Sequence, residues 1–127
     1  MSPKTKILII DDDATLLGAV RRLLLAAGFE VITSDSALRL PQLVQREKPD
    51  LILLDIEMPA LNGEHVLDFT KLFDFLRDTP IVLHSSKSEE DLQALVERSS
   101  AVGYIRKTGN ALSLVSQVKR FLRPNEQ

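Results

Sequence analysis

Four short apolar runs are spaced along this chain, and each one ends in side chains able to do chemistry. Ile7-Leu8-Ile9-Ile10 runs into Asp11-Asp12-Asp13, and Leu51-Ile52-Leu53-Leu54 runs into Asp55. Ile81-Val82-Leu83 leads through His84 to Ser85-Ser86, and Tyr104-Ile105-Arg106 leads to Lys107. Apolar runs of this length, without polar alternation, fit strands buried on both faces, the condition of a parallel sheet covered by helices. Ligands of such sheets bind in the crevice outside the carboxyl ends of the strands. Asp11, Asp12, Asp55, Ser85 and Lys107 are therefore expected along one edge, a setting for a phosphoryl group and a hard metal ion.

The segments between the runs read as helices. Leu16, Leu17, Val20, Leu23, Leu24 and Ala27 mark one face of the first, with Asp13 as its N-cap and Gly28 as its stop. Val31-Ile32-Thr33 is a short second strand. Leu40, Leu43 and Val44 suit a second helix, but Pro41 lies inside the pattern, so that helix begins late or kinks. Met58-Pro59 and Asn62-Gly63 make a turn-rich loop, and Val66, Phe69, Leu72, Phe73 and Leu76 predict a third helix. Ser88 with Asp91 resembles a capping box for a fourth helix carrying Leu92, Leu95 and Val96 inward. Leu112, Val115, Val118 and Leu122 give the inner face of a fifth, which ends before Pro124. Five βα units in alternation predict an α/β fold: a flavodoxin-like, doubly wound, five-stranded parallel sheet of order 2-1-3-4-5 with five helices. This order sets the first and third strands side by side at the switch point.

At 127 residues the chain is expected to form a single domain, with its core between about residues 5 and 123. No output domain follows the fifth helix in this sequence, so the protein either docks to a partner alone or is a fragment. The formal charge of −2 is too small to argue for nucleic acid or an anionic membrane surface. No apolar run approaches the roughly 18 residues of a membrane span, and a cytoplasmic location is the expectation. Without cysteine there can be no disulfide, thiolate metal site or cysteine nucleophile.

Several carboxylates in one crevice raise each other's pKa and titrate as a coupled set unless a cation joins them. Hard oxygen donors favour Mg²⁺, with Mn²⁺ as the alternative. Asp55 can then serve as a carboxylate nucleophile toward phosphorus, giving an acyl phosphate. A metal ion and the Lys107 ammonium would neutralise the oxygens of the transferring group, with the Ser85 hydroxyl donating to one of them. Taken singly, each residue has an ordinary reading as a helix cap, loop acid, turn serine or exposed lysine, and only their joint placement points to a site. His84 is read as a core or edge residue without chemistry, since the only other histidine, His65, begins a helix.

These residues resemble the receiver domain of bacterial two-component response regulators, almost end to end. The resemblance rests on Ile7 to Asp13, on Leu51-Ile52-Leu53-Leu54-Asp55-Ile56-Glu57-Met58-Pro59, on Asn62-Gly63, and on Gly103-Tyr104-Ile105-Arg106-Lys107. It implies that Asp55 takes a phosphoryl group from a sensor histidine kinase or phosphotransfer protein. Small phosphoryl donors would serve as well, and the acyl phosphate would hydrolyse itself. It further implies Mg²⁺ held by Asp12 most directly, Asp11 largely through water, Asp55, and the backbone carbonyl of Glu57. Ser85 and Tyr104 would act as switch residues that reshape the face made by the fourth helix, fifth strand and fifth helix. A downstream protein would read that face, and the protein would be a monomer or a phosphorylation-linked dimer. Glu57 and Lys87 fall where the family tunes dephosphorylation; a pair between them across the mouth of the site could screen the acyl phosphate from water, and the alternative is two solvated side chains worth little to each other.

One departure from the family is Thr108, which stands where a proline normally follows the lysine through a cis bond. A cis bond to a non-proline residue costs about 2.5–4 kcal/mol, so a trans Lys107–Thr108 bond is expected. Thr108 also keeps open a receiver-like docking module that needs no phosphate. A haloacid-dehalogenase-type phosphatase is a further rival, because Asp11-x-Asp13-x-Thr15 fits its opening motif with Asp13 as general acid. That reading lacks an acidic pair after Lys107, where only Glu126 follows. A flavin-binding version of the fold is disfavoured, since the acidic first turn would repel a flavin phosphate.

Overall fold

The computed structural model describes residues 4–58, 79–107 and 110–122. Five parallel strands, β1 (Lys6–Ile10), β2 (Glu30–Ser34), β3 (Leu51–Asp55), β4 (Ile81–Ser85) and β5 (Gly103–Arg106), form one sheet of order β2-β1-β3-β4-β5. The predicted order and all five strands are present. Four described helices are α1 (Ala14–Ala26), α2 (Leu40–Glu47), α3 (Glu89–Glu97) and α4 (Ala111–Phe121). The helix expected over Val66 to Leu76, with the Pro59, Asn62-Gly63 and His65 readings, lies outside the described residues, as do Thr108, Pro124 and the side chain of Leu112.

Alternate residues of the central strands feed two apolar layers. Leu8, Ile10, Ile52, Leu54 and Leu83 pack with Leu40, Leu43 and Val44 of α2 and with Leu92 and Leu95 of α3. Ile7, Ile9, Leu51, Leu53, Val82 and Ile105 pack with Val20 and Leu24 of α1 and with Leu114 and Val118 of α4. Burial on both faces is why these strands read as unbroken apolar runs.

Local chemistry sets the helix ends. Asp13 Oδ1 accepts the N–H groups of Thr15 and Leu16, both at 3.1 Å, satisfying two otherwise orphan donors of α1. At the other end Phe29 N–H bonds Leu24 O (3.1 Å) and Gly28 N–H bonds Leu25 O (3.0 Å). This is the paired closure of a Schellman stop, and it needs the left-handed φ of +97° that Gly28 supplies. The Pro41 alternative resolves as a late start: a single 3₁₀ turn, Ala37–Arg39, precedes α2, and Pro41 occupies its first turn, where no N–H is missed. At α3 the Ser88 hydroxyl accepts Asp91 N–H at 3.2 Å, one half of the expected capping box.

Gly103 is required by packing. A Cβ placed there would lie 2.5 Å from Phe121 Cε1 and 2.6 Å from its Cζ, so the aromatic ring lies directly against β5. Gly103→Ala is expected to destabilise the domain by about 1–3 kcal/mol, the cost of overpacking. Combining it with Phe121→Leu should recover part of that loss, so thermal melts of both single variants and the double variant should show non-additivity.

Candidate acidic site at the carboxyl edge of the sheet

Register brings the reactive residues level. Ile10 pairs with Leu54 across the β1–β3 seam, so Asp11 and Asp55 stand side by side one residue further on. Asp55 pairs with His84, and Ser85 pairs with Arg106, so Lys107 leaves the sheet just beyond β4 and reaches across it. Its Nζ lies 3.0 Å from Asp55 Oδ1, 3.3 Å from Asp11 Oδ2 and 4.0 Å from Glu57 Oε2. The Lys107 N–H donates to Ser85 O at 2.8 Å, which fixes the start of that reach.

Asp11 and Asp55 are only 1% and 2% exposed, whereas Asp12 faces solvent. Oxygens of all three carboxylates fall within 4.8 Å of one another. Asp11 Oδ1 accepts Asp13 N–H at 2.9 Å, and Asp55 Oδ1 accepts Glu57 N–H at 2.9 Å. Burial pushes the Asp55 carboxyl above its ordinary value, and the nearby Asp11 charge adds to the rise, beyond what the Glu57 amide and Lys107 recover. Burial disfavours the Lys107 ammonium, but Asp55 and then Asp11 outweigh it and raise its pKa. One ammonium thus serves two buried acids, which leaves uncompensated negative charge at a solvent-facing edge. An all-oxygen donor set of this kind, open on the Asp12 side to water, suits a hard divalent cation.

Ser85 is fully buried, and its Oγ accepts Lys87 N–H at 3.0 Å. Tyr104 is half-buried; its hydroxyl donates to Glu89 Oε1 at 3.3 Å and accepts from Gln93 Nε2 at 3.4 Å, so it is tied to α3. His84 is 4% exposed, and burial, helped by the Lys107 charge, lowers its pKa to about 4. The ring is neutral at ordinary pH, in keeping with a core role.

Glu57 and Lys87 form no ion pair with each other. The Glu57 carboxylate accepts Ser86 N–H at 2.8 Å and the Ser86 hydroxyl at 2.7 Å, and its ion-pair partner among the described residues is Lys107. Two neighbouring donors on one residue outcompete a long, exposed lysine that would lose rotamer freedom to pair. Burial pushes the Glu57 carboxyl up, but the Ser86 amide and hydroxyl, Lys107 and Ser85 hold it below its usual value. Sequence reasoning gave Ser86 no role; the only trace of it was a second hydroxyl at the end of the fourth apolar run. Arg106 is a second residue whose role no sequence pattern marks. Its Nε donates to Lys87 O at 3.0 Å and ties the loop after β4 to β5. Asp13, the general acid of the phosphatase rival, has the ordinary role of α1 cap, with Oδ1 accepting two backbone N–H groups.

Known proteins repeat this plan. The family model for the response regulator receiver domain matches residues 7–119. The transcriptional regulatory protein PrrA of Mycobacterium tuberculosis is 32% identical over 118 residues, 93% of this chain and 50% of PrrA. The phosphate regulon transcriptional regulatory protein PhoB of Pseudomonas aeruginosa is 32% identical over 117 residues, 92% of this chain and 51% of PhoB. The chain thus spans about half the length of the curated relatives it matches. Among solved structures, the BeF3-activated N-terminal receiver domain of Klebsiella pneumoniae RstA superposes with a TM-score of 0.76 at 30% identity, covering 94% of this chain and 99% of that one. A CheY-like receiver domain protein from Methanospirillum hungatei superposes with a TM-score of 0.79 at 25% identity, covering 98% of each chain. With its sheet order, its acidic edge and a family match over nearly its whole length, the chain belongs to the response regulator receiver domain family.

Proposed function

We propose that this domain is a phospho-accepting switch in a two-component relay, with Asp55 as the acceptor. The observation that carries the reading is the buried Asp55 carboxylate standing within reach of Asp11, Asp12 and the Lys107 ammonium. Among the described residues both hydrogen bonds to Asp55 fall on Oδ1, which leaves Oδ2 to attack. In the transfer, the Oδ2–P bond forms as the P–N bond of a donor phosphohistidine breaks, and the imidazole leaves with the electron pair and gains a proton. Asp11, Asp12, Asp55 and the Glu57 carbonyl would hold Mg²⁺, which when bound neutralises the acids and the phosphoryl oxygens. Lys107 supplies a fixed positive charge to the same oxygens, and the Ser85 hydroxyl supplies a donor, its bond from Lys87 N–H using only its acceptor side. A Ser85 drawn toward the phosphoryl group would give up that bond and loosen the loop before α3, the helix to which Tyr104 is anchored, so the face of α3, β5 and α4 would carry the signal to a downstream protein. The kinase or phosphotransfer partner, the cytoplasmic setting, the choice of Mg²⁺ and any dimer formed on phosphorylation belong to this proposal. The RstA receiver is named as BeF3-activated, which supports a phosphoryl-responsive relative at 30% identity.

The test is intact mass after incubation with acetyl phosphate and Mg²⁺. The native chain should gain one phosphoryl group, and Asp55→Asn should gain none. Chelating the metal should suppress the adduct in the native chain. Absence of any adduct from folded protein that binds Mg²⁺ would favour docking without phosphate.

A further inference from the structure

The Glu57 carboxylate is held more firmly than a residue at the rim of a site needs to be. Its two oxygens take the Ser86 N–H (2.8 Å) and the Ser86 hydroxyl (2.7 Å), and Lys107 Nζ lies 4.0 Å away. A backbone amide, a hydroxyl and an ammonium thus converge on one anion. Donors of this kind stabilise the oxygens of a phosphoryl group. They also stand in the right place. Glu57 lies two residues past Asp55, Ser86 follows Ser85 at the end of the neighbouring strand, and Lys107 is bonded to Asp55 itself.

We propose that the Glu57 carboxylate is an internal stand-in for phosphoryl oxygens, occupying donors that a phosphoryl group on Asp55 must take over, with Ser86 as the positioning residue that holds it there. The proposal rests on Asp55 being the acceptor, and it concerns how that same site is regulated. The resting state keeps its donors satisfied by its own anion. An incoming phosphoryl group gains only the difference between its bonds and those of Glu57, and it meets a like charge on the way. The same displacement would release the Ser86 end of the loop, which the Arg106 Nε–Lys87 carbonyl bond and the Lys87 N–H–Ser85 Oγ bond also tie to the sheet. Acceptor loading and loop release would thereby be one event.

The experiment is calorimetric titration with beryllofluoride, a phosphoryl mimic, in excess Mg²⁺. The chains compared are native, Glu57→Gln, Ser86→Ala and Asp55→Asn, with urea melts confirming that each is folded. Glu57→Gln keeps the shape and loses the charge. It should bind beryllofluoride roughly ten- to a hundredfold more tightly, the equivalent of one charged hydrogen bond no longer in competition. Ser86→Ala removes the hydroxyl clamp and should shift affinity in the same direction by less. Asp55→Asn should bind none. Binding by Glu57→Gln that equals or falls below the native value overturns the proposal while leaving Asp55 as acceptor. Silence from native and Glu57→Gln alike, with no acetyl phosphate adduct on either, overturns the acceptor reading and this proposal with it.

Discussion

A Lys107→Ala variant will take up the phosphoryl group from acetyl phosphate on the order of 10²–10³-fold more slowly than the native chain, and its fold will be weaker. Lys107 is the shared cation of the site, 3.0 Å from Asp55 and 3.3 Å from Asp11, with its side chain 17% exposed. Phosphoryl transfer offers the protein little covalent chemistry to do, so the loss of a fixed charge beside the transferring oxygens falls on the rate. The same deletion leaves two buried carboxylates without their ammonium. Breaking a buried pair from one side costs about 3–5 kcal/mol, and urea titration in the presence of a chelator should show a loss approaching that range. Saturating Mg²⁺ should restore part of the stability, since a divalent cation relieves the same repulsion, but it should not restore the rate. A variant with native uptake would remove Lys107 from the transfer step.

The second large effect is on acid stability through His84. Its folded pKa is lowered to about 4 by burial, against 6.5 in the unfolded chain. Between these values the unfolded state binds the proton that the folded state refuses. The contribution of neutral His84 is therefore fully present above pH 6.5 and is lost as pH falls toward 4. At about pH 5 the loss amounts to roughly 2 kcal/mol. Lys107 adds to the lowering, while Asp11 and Glu57 oppose it. The raised pKa of Asp55 works the other way, because its proton is held more tightly in the folded state. The measurement is thus a difference: unfolding free energy of the native chain and of His84→Leu, each at pH 7.5 and pH 5. The native chain should lose about 2 kcal/mol more than the variant on acidification. Equal losses would mean that His84 is protonated in the fold at pH 5.

Much of this arrangement was legible in the sequence because parallel sheets leave a coarse signature. Ile7 to Ile10 and Leu51 to Leu54 are apolar at every position since both faces are covered, and Asp11 and Asp55 follow at once because the strands end level. Asp13 as cap and Gly28 as stop were readable from local backbone chemistry alone. Pairings between loops were not readable. Glu57 and Lys87 are opposite charges at suggestive positions, yet whether they meet depends on where the loop after β4 turns. That turn gave Glu57 to the Ser86 amide, a donor present at every non-proline residue and therefore invisible as a pattern. Tyr104 was legible as a half-buried strand residue, whereas the partners of its hydroxyl required the orientation of α3. The Gly103–Phe121 contact depends on the packing angle of α4, which no spacing rule contains.

The cation of the site directly follows β5, the last strand among the described residues, 52 residues after the carboxylate it neutralises. During synthesis on a ribosome, Asp11, Asp12 and Asp55 all emerge before Lys107 does. A nascent chain that has exposed β1 and β3 but not β5 carries its acids without their ammonium, and β4 is still an edge with open backbone donors and acceptors. On the reading proposed for Asp55, the order of translation would leave the acceptor without its ammonium until β5 has paired, so competence for phosphoryl transfer would double as a report that the sheet is complete.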